Sequence, residues 1–247
     1  MKVACVEYLN ALPFTDALEA LYKDNQLEYV KAVPSACARM LKTGEVDIAL
    51  LPIGALVDFE KLHLVSEYCI SCIGPVRTVK LFSNQAIEVI DTIALDPSSR
   101  TSNILLKILL RDFWKRDKVK LVMESDSKKD ESMASLKIGD AAFQLEGLYA
   151  YEYDLGEIWY EMTRLPFVFA VWVSIKPTNQ AQQNILNQAF NKSVTAIDQL
   201  IQTKKDYDKE ILESYFKENI HYGLDELKKR GMQHFIELSG IPNILIA

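Results

Sequence analysis

Residues 96–103 read Asp-Pro-Ser-Ser-Arg-Thr-Ser-Asn, so Ser98, Ser99, Thr101 and Ser102 place four hydroxyls within five positions. A strand-like run, 92–95, precedes them. The apolar stripe of a helix follows at once in Ile104, Leu105, Ile108, Leu109 and Phe113. A helix start leaves several backbone N–H groups without partners and carries a partial positive charge. Hydroxyls beside those groups add donors, and the whole becomes a cradle for a carboxylate or phosphate. The plainer reading is a helix cap, but capping needs one hydroxyl and this turn holds four. Ser99, Thr101 and Ser102 are therefore expected to bind an anion, with Ser98 capping the turn. Arg100 is expected to face away and tie the loop to the second lobe.

Four further segments could carry chemistry. In Glu7-Tyr8-Leu9-Asn10, between a strand and a helix, Asn10 can donate and accept at once and Tyr8 offers a ring with a phenol; Asn10 also suits an ordinary cap or turn. The run from Leu50 to Ala55 joins another strand end to a helix start and reads as apolar cleft wall. Arg77 and Thr78 are neighbours in an extended run, so only one faces a ligand. Thr78 is the candidate for that place and Arg77 for an interlobe ion pair. Asp140, after Gly139, stands at a strand tip where it could meet a ligand hydroxyl or cap a helix.

Other chemistry is poorly supported. Cys69 and Cys72 have CxxC spacing, but in a strand over 64–73 they point to opposite faces, and neither a second pair nor clustered histidines complete a zinc set. His63, His221 and His234 are scattered. No metal or organic cofactor is expected. The 247-residue chain carries 28 Lys and Arg against 34 Asp and Glu, net charge -6, which argues against nucleic acid and anionic membrane as partners. No apolar run approaches the roughly 18–20 residues of a membrane span. The opening Met1-Lys2-Val3-Ala4-Cys5-Val6 reads as a strand rather than a leader, so a cytoplasmic location is expected.

The elements that must hold these groups alternate. Strands are expected at 3–6, 27–31 and 47–51, with helices at 13–22 and 35–42. A second series follows, with strands at 76–82, 92–95, 119–123 and 138–143 and helices at 101–115, 131–136 and 154–163. Such alternation predicts an α/β fold with largely parallel sheets. The almost wholly apolar run 166–173 is expected to be a strand buried on both faces. Beyond 178 the pattern reads as helices only, over 179–203, 207–219 and 224–239. Two lobes follow from this order: residues 1–80 with 174–247, and residues 81–173. The crossings lie near 75–85 and 166–175, and the substrate cleft lies between the lobes.

The order of motifs also carries a resemblance. Tyr8-Leu9-Asn10 with Pro13, "GPVRTVKLFS" at 74–83, "LDPSSRTS" at 95–102, "GDAA" at 139–142 and "DLGEIWYEMTRLPFVFAVW" at 154–172 resemble the chorismate dehydratases of the futalosine route to menaquinone. The family usually has Ser at the position of Thr78, and the hydroxyl is kept here. The resemblance implies a two-lobed, type II periplasmic-binding-protein-like fold with a helical C-terminal segment. It implies dehydration of chorismate to 3-[(1-carboxyvinyl)oxy]benzoate, with Asn10 catalytic and Tyr8, Thr78, Ser99, Thr101, Ser102 and Asp140 binding substrate. The base could be a protein carboxylate, Glu7 or Asp140, or the substrate's own enolpyruvyl carboxylate. Two alternatives remain: a non-catalytic binder of small carboxylates on the same fold, and the sister dihydroxynaphthoate synthase. Oligomeric state is open.

Overall fold

The structure is a computed structural model that describes residues 1–124, 133–241 and 245–246. The first sheet is built from β1 (Lys2–Val6), β2 (Glu28–Ala32), β3 (Ile48–Pro52), β4 (Lys61–Cys72), β10 (Phe167–Ser174), β11 (His221–Gly223) and β12 (Leu245–Ile246). Its order is β11-β4-β10-β3-β1-β2, with β12 on β4. The second sheet runs β7 (Lys120–Met123), β6 (Thr92–Leu95), β8 (Ala134–Ile138), β5 (Val79–Ser83), β9 (Tyr151–Asp154).

Helices cover both sheets. They are α1 (Leu12–Lys23), α2 (Pro34–Thr43), α3 (Arg100–Asp112), α4 (Asp140–Leu145), α5 (Leu155–Thr163), α6 (Gln180–Thr195), α7 (Ile197–Gln202), α8 (Lys209–Ser214) and α9 (Glu226–Ser239). Their ends follow local chemistry. Proline opens α2, where a missing N–H costs nothing, and Gly44 in the left-handed region closes it. Ser99 caps α3 by accepting from the N–H of Ser102. Asn179 and Gln182 form a reciprocal capping box on α6.

Burial explains the sheet order. β1 and β3 are almost wholly buried and lie side by side, parallel, while the more exposed β2 takes the edge. The apolar run becomes β10, a central strand as its composition requires, pairing antiparallel with β3 and β4. Trp172 on β10 stacks on Phe190 of α6 at 4.9 Å, and Phe14 of α1 meets the Trp172 ring edge-on at 5.5 Å. The helical tail is thereby fastened to the first sheet.

The chain crosses between sheets twice, after β4 and before β10. Asp154, only 5% exposed, pins the first crossing. It caps α5 by accepting from the N–H groups of Gly156 and Glu157, and it accepts from those of Val76 at 3.0 Å and Arg77 at 2.6 Å. Burial pushes its pKa up, against the pull of those four donors. At the second crossing, α9 comes so close that a Cβ on Gly231 would lie 2.1 Å from the Pro166 carbonyl oxygen, so only glycine fits.

Several expectations need correction. The helix expected over 131–136 is instead a strand from Ala134, with 131–132 outside the described residues. The strand expected over 138–143 is instead the helix α4, because Gly139 at φ 60 turns the chain as β8 ends. Both segments are too short for their apolar spacing to fix a period. The sheets are mixed rather than largely parallel, since β5 and β10 each run antiparallel to both neighbours. The tail is not purely helical: β11 pairs with β4, and the helix expected over 179–203 breaks at Ala196. β10 lies in the first sheet, so the chain returns at the start of the 166–175 stretch.

Candidate functional site

A cavity of about 1170 Å³ opens where the loops after β1, β3, β6 and β8 converge. These are the carboxyl ends of strands from both sheets, where α/β folds bind ligands. Tyr8, Asn10, Thr78, Ser99, Thr101, Ser102 and Asp140 all line it.

The hydroxyl-rich turn forms one wall. Asp96 holds it from below, accepting from the Ser98 N–H at 2.8 Å and from the Ser98 hydroxyl, while the Asn103 amide donates to the Asp96 carbonyl at 2.8 Å. Ser98 thus belongs to the turn, as expected. The Ser99 hydroxyl accepts from the Ser102 N–H at 3.1 Å and donates to the Ser102 hydroxyl oxygen at 2.8 Å. The Ser99 proton is therefore committed, and Ser102 keeps its own proton to give. Thr101 has the same polarity. Its oxygen accepts from the Gly54 N–H at 3.0 Å, so its proton is left for another acceptor. The backbones meet so tightly that a Cβ on Gly54 would lie 2.8 Å from the Thr101 nitrogen. The stretch read as apolar wall thus also docks the helix start, with Pro52 and Ala55 lining the cavity.

The floor is assembled from distant segments. Asn10 sits in a 3-10 turn over Leu9–Ala11, and the Tyr222 phenol donates to its backbone carbonyl at 2.9 Å. The Asn10 Oδ1 atom is buried and has no hydrogen-bond partner among the described residues. Thr78 lies 3.1 Å, hydroxyl to hydroxyl, from Tyr215, and makes a longer bond of 3.4 Å to the Val76 carbonyl. Tyr215 is 1% exposed and begins a π-helical turn, Tyr215–Asn219, that continues α8. Burial pushes the pKa of this phenol far up, while its contacts with Thr78 and Asn10 pull the other way.

At the mouth, Asp140 accepts from the Tyr207 phenol at 2.6 Å, linking α4 to the helical tail. Burial first, and then Asp140, push the Tyr207 pKa up to about 12. Arg77 turns into an ion pair with Glu146 at 2.8 Å, so Thr78 is the member of the pair at the cavity. Arg100 pairs with Asp58, beside β3, at 2.8 Å. It ties the loop to the first sheet, not to the second lobe as expected, because the helix start already belongs to the second sheet. Among the described lining carboxylates, Asp58, Asp96 and Asp140 each hold a donor and Glu7 is exposed, and none of the three histidines lines the cavity.

Sequence reasoning missed Tyr207, Tyr215 and Lys204, all in the tail. The charged tail reads as solvated helix faces, and nothing local marks these residues. Two tyrosines eight positions apart were the available signal, and it is weak. No group of three or more potential metal ligands occurs among the described residues. No described helix is long and apolar enough to cross a membrane.

A family model described as menaquinone biosynthesis matches residues 1–240. The chorismate dehydratase of Thermus thermophilus is 27% identical over 240 residues, covering 85% of this chain and 86% of its own. That of Campylobacter jejuni is 26% identical over 249 residues, covering 97% of each. Among solved structures, a Candida albicans protein described as having the generic periplasmic binding protein fold superposes with a TM-score of 0.67 at 15% identity, over 98% of this chain and 90% of that one. The expected fold is therefore present.

Proposed function

This chain belongs to the menaquinone-biosynthesis family, and from that premise we propose that it is a chorismate dehydratase, converting chorismate to 3-[(1-carboxyvinyl)oxy]benzoate and water. The observation that carries this reading is one cavity with two unlike walls. On one side is a helix start with hydroxyl protons still to give. On the other is a floor with an unfilled amide acceptor beside two hydroxyls. Chorismate presents carboxylates to the first and an alcohol to the second.

The chemistry then follows from placement. The ring proton to be lost, on the carbon bearing the enolpyruvyl ether, is conjugated through the ring alkene to the ring carboxylate. Its removal drives charge onto that carboxylate. Thr101, Ser102 and the first-turn N–H groups of α3 bind it there, with Ser99 acting through Ser102. One such fixed donor is worth about 3–4 kcal/mol in a transition state. Asn10 accepts the hydrogen of the ring hydroxyl that leaves, Thr78 lies beside it, and Tyr8 and Asp140 frame the entrance. Of the four described lining carboxylates, Asp58, Asp96 and Asp140 each hold a donor already, and Glu7 is exposed to solvent. The substrate's enolpyruvyl carboxylate takes it and passes it to the departing hydroxyl, which leaves as water while the ring becomes aromatic. The protein supplies orientation and electrostatics. A biosynthetic hydro-lyase of this kind works in the cytoplasm on a free small molecule.

The test is ultraviolet assay of purified protein for loss of chorismate and appearance of the aromatic product. Absence of turnover, with chorismate bound, would leave the carboxylate-binding alternative in its place.

A further inference from the structure

We propose that Tyr215 is a catalytic residue, giving its phenolic hydrogen bond to the ring hydroxyl as that group leaves. The inference rests on the chorismate reading and adds to it a group from the C-terminal helical segment.

The argument is one of unfilled valences. Asn10, Thr78 and Tyr215 come from positions 10, 78 and 215, and all three line the cavity floor. Buried polar groups are almost always satisfied. Here the Asn10 Oδ1 atom is buried with nothing among the described residues donating to it. Tyr215 and Thr78 share one hydrogen bond of 3.1 Å, in which either oxygen can donate. Thr78 has one proton and two acceptors in reach, the Val76 carbonyl at 3.4 Å and the Tyr215 oxygen; when it donates to Tyr215, the phenolic proton is free to turn to the cavity. In that arrangement the floor offers one vacant acceptor and one spare donor. A carboxylate cannot fill that pair, because it only accepts; an alcohol can, because it donates once and accepts. Chorismate carries one alcohol, and it is the leaving group.

Backbone placement supports the same role. Tyr215 opens a π-helical turn, a distortion that concentrates at functional sites. The far end of that turn is anchored on the first crossing, where the Asn219 amide donates to the Pro75 carbonyl at 3.0 Å. Phe143 packs edge-on against the Tyr215 ring at 5.1 Å and fixes its plane. The ring is thus held by Phe143 and at its hydroxyl end by Thr78, as a group that must not move during reaction is held.

The step balances without a proton from Tyr215. The ring C–H bond breaks, and its electron pair forms the new ring double bond. The C–O bond breaks with its pair remaining on oxygen. The proton taken from carbon, carried by the enolpyruvyl carboxyl group, completes the water. The phenol keeps its own proton and strengthens its hydrogen bond as charge gathers on the departing oxygen. A phenol whose pKa burial has raised is suited to this, being neutral throughout the working pH range.

The experiment is Tyr215→Phe, which removes only the hydroxyl. Turnover of chorismate is measured beside the dissociation constant of 3-(carboxymethoxy)benzoate, a dicarboxylate without a ring hydroxyl. The expected result is a kcat lowered at least tenfold, a KM within about twofold, and inhibitor binding unchanged. An unchanged kcat overturns the proposal. So does a parallel loss of inhibitor binding, which marks a merely structural side chain. Should the Phe variant fail to fold, 3-fluorotyrosine at position 215 keeps the packing and sharpens the donor. There, a changed kcat with unchanged inhibitor binding supports the role and an unchanged kcat overturns it. Wild-type protein that binds the dicarboxylate but never consumes chorismate overturns the dehydratase reading itself, a result distinct from any effect of position 215.

Discussion

The two walls of the cavity are built in opposite ways. The hydroxyl wall is one continuous segment, 96–103, shaped by hydrogen bonds within itself, Asp96 with Ser98 and Asn103 and Ser99 with Ser102, and tied outward to the stretch after β3, through Thr101 to Gly54 and Arg100 to Asp58. The floor is three residues separated by more than sixty positions each, meeting only because β1, the first crossing and the helical tail converge. A wall shaped mostly by one segment survives small changes elsewhere. An assembled floor is only as accurate as the packing of the parts that carry it. Substitutions in the two walls should therefore fail differently.

The largest effect is expected on the floor. Asn10→Asp keeps the shape but sets negative charge against the departing hydroxyl. Turnover should fall about a thousandfold, the order seen when a well-placed donor or acceptor is lost, with the melting temperature close to wild type. Near-normal turnover would remove Asn10 from the reaction. Next comes Thr101→Val, in the wall, with a loss of about tenfold to a hundredfold. If the wall holds the ring carboxylate, kcat falls more than KM rises; if it holds the enolpyruvyl carboxylate, KM rises as well. Thr101→Ser is the control, because it keeps both the acceptor for Gly54 and the proton for the ligand. Steady-state kinetics on the three enzymes reads both outcomes.

The support of the floor can be weakened without touching it. Asp154→Asn exchanges one acceptor oxygen for an amide that faces the N–H groups of the first crossing, which should cost about 2 kcal/mol of stability, read by chemical denaturation. Because the folded carboxyl has a raised pKa, its contribution is full below the unfolded value near 3.8 and is lost as pH climbs through the folded value. The gap between wild type and variant should thus narrow with rising pH, and a widening gap would contradict the burial argument. The smallest effect belongs to Arg100→Ala. Its ion pair with Asp58 is half exposed, worth under about 1 kcal/mol, and turnover should stay within about threefold.

The same contrast decides what a reader of the sequence can find. The wall was legible because hydroxyls, cap and apolar stripe stand next to one another, and Asn10, Thr78 and Asp140 were legible as strand-end residues beside motifs. The floor's third member was not. Tyr215 lies in a charged segment with ordinary helical spacing, and its partner Thr78 is 137 positions away. The errors in the fold have a similar origin. Ala134–Ile138 and Asp140–Leu145 are too short for their apolar spacing to fix a period, so the backbone reversal at Gly139 decides both. β11 is three residues long and exists only because β4 offers it an edge. Long elements such as β10 and α3 were read correctly because many residues agree.

The four cysteines have a use that no catalytic argument needs. All are buried and none is bridged. Burial pushes the thiol of Cys37 up to about 11 and that of Cys69 to about 12, and raises those of Cys5 and Cys72 strongly as well. Alkylating reagents attack the thiolate, so the native molecule presents almost nothing to them. Each modification then timestamps a local opening of the chain around one thiol. Cys5 and Cys37 keep time for the inner face of the first sheet, on β1 and α2. Cys72, the last residue of β4, keeps time for the crossing itself. The protein carries its own set of stopwatches, and a bound ligand that steadies the crossing should slow the one at Cys72 more than the one at Cys5.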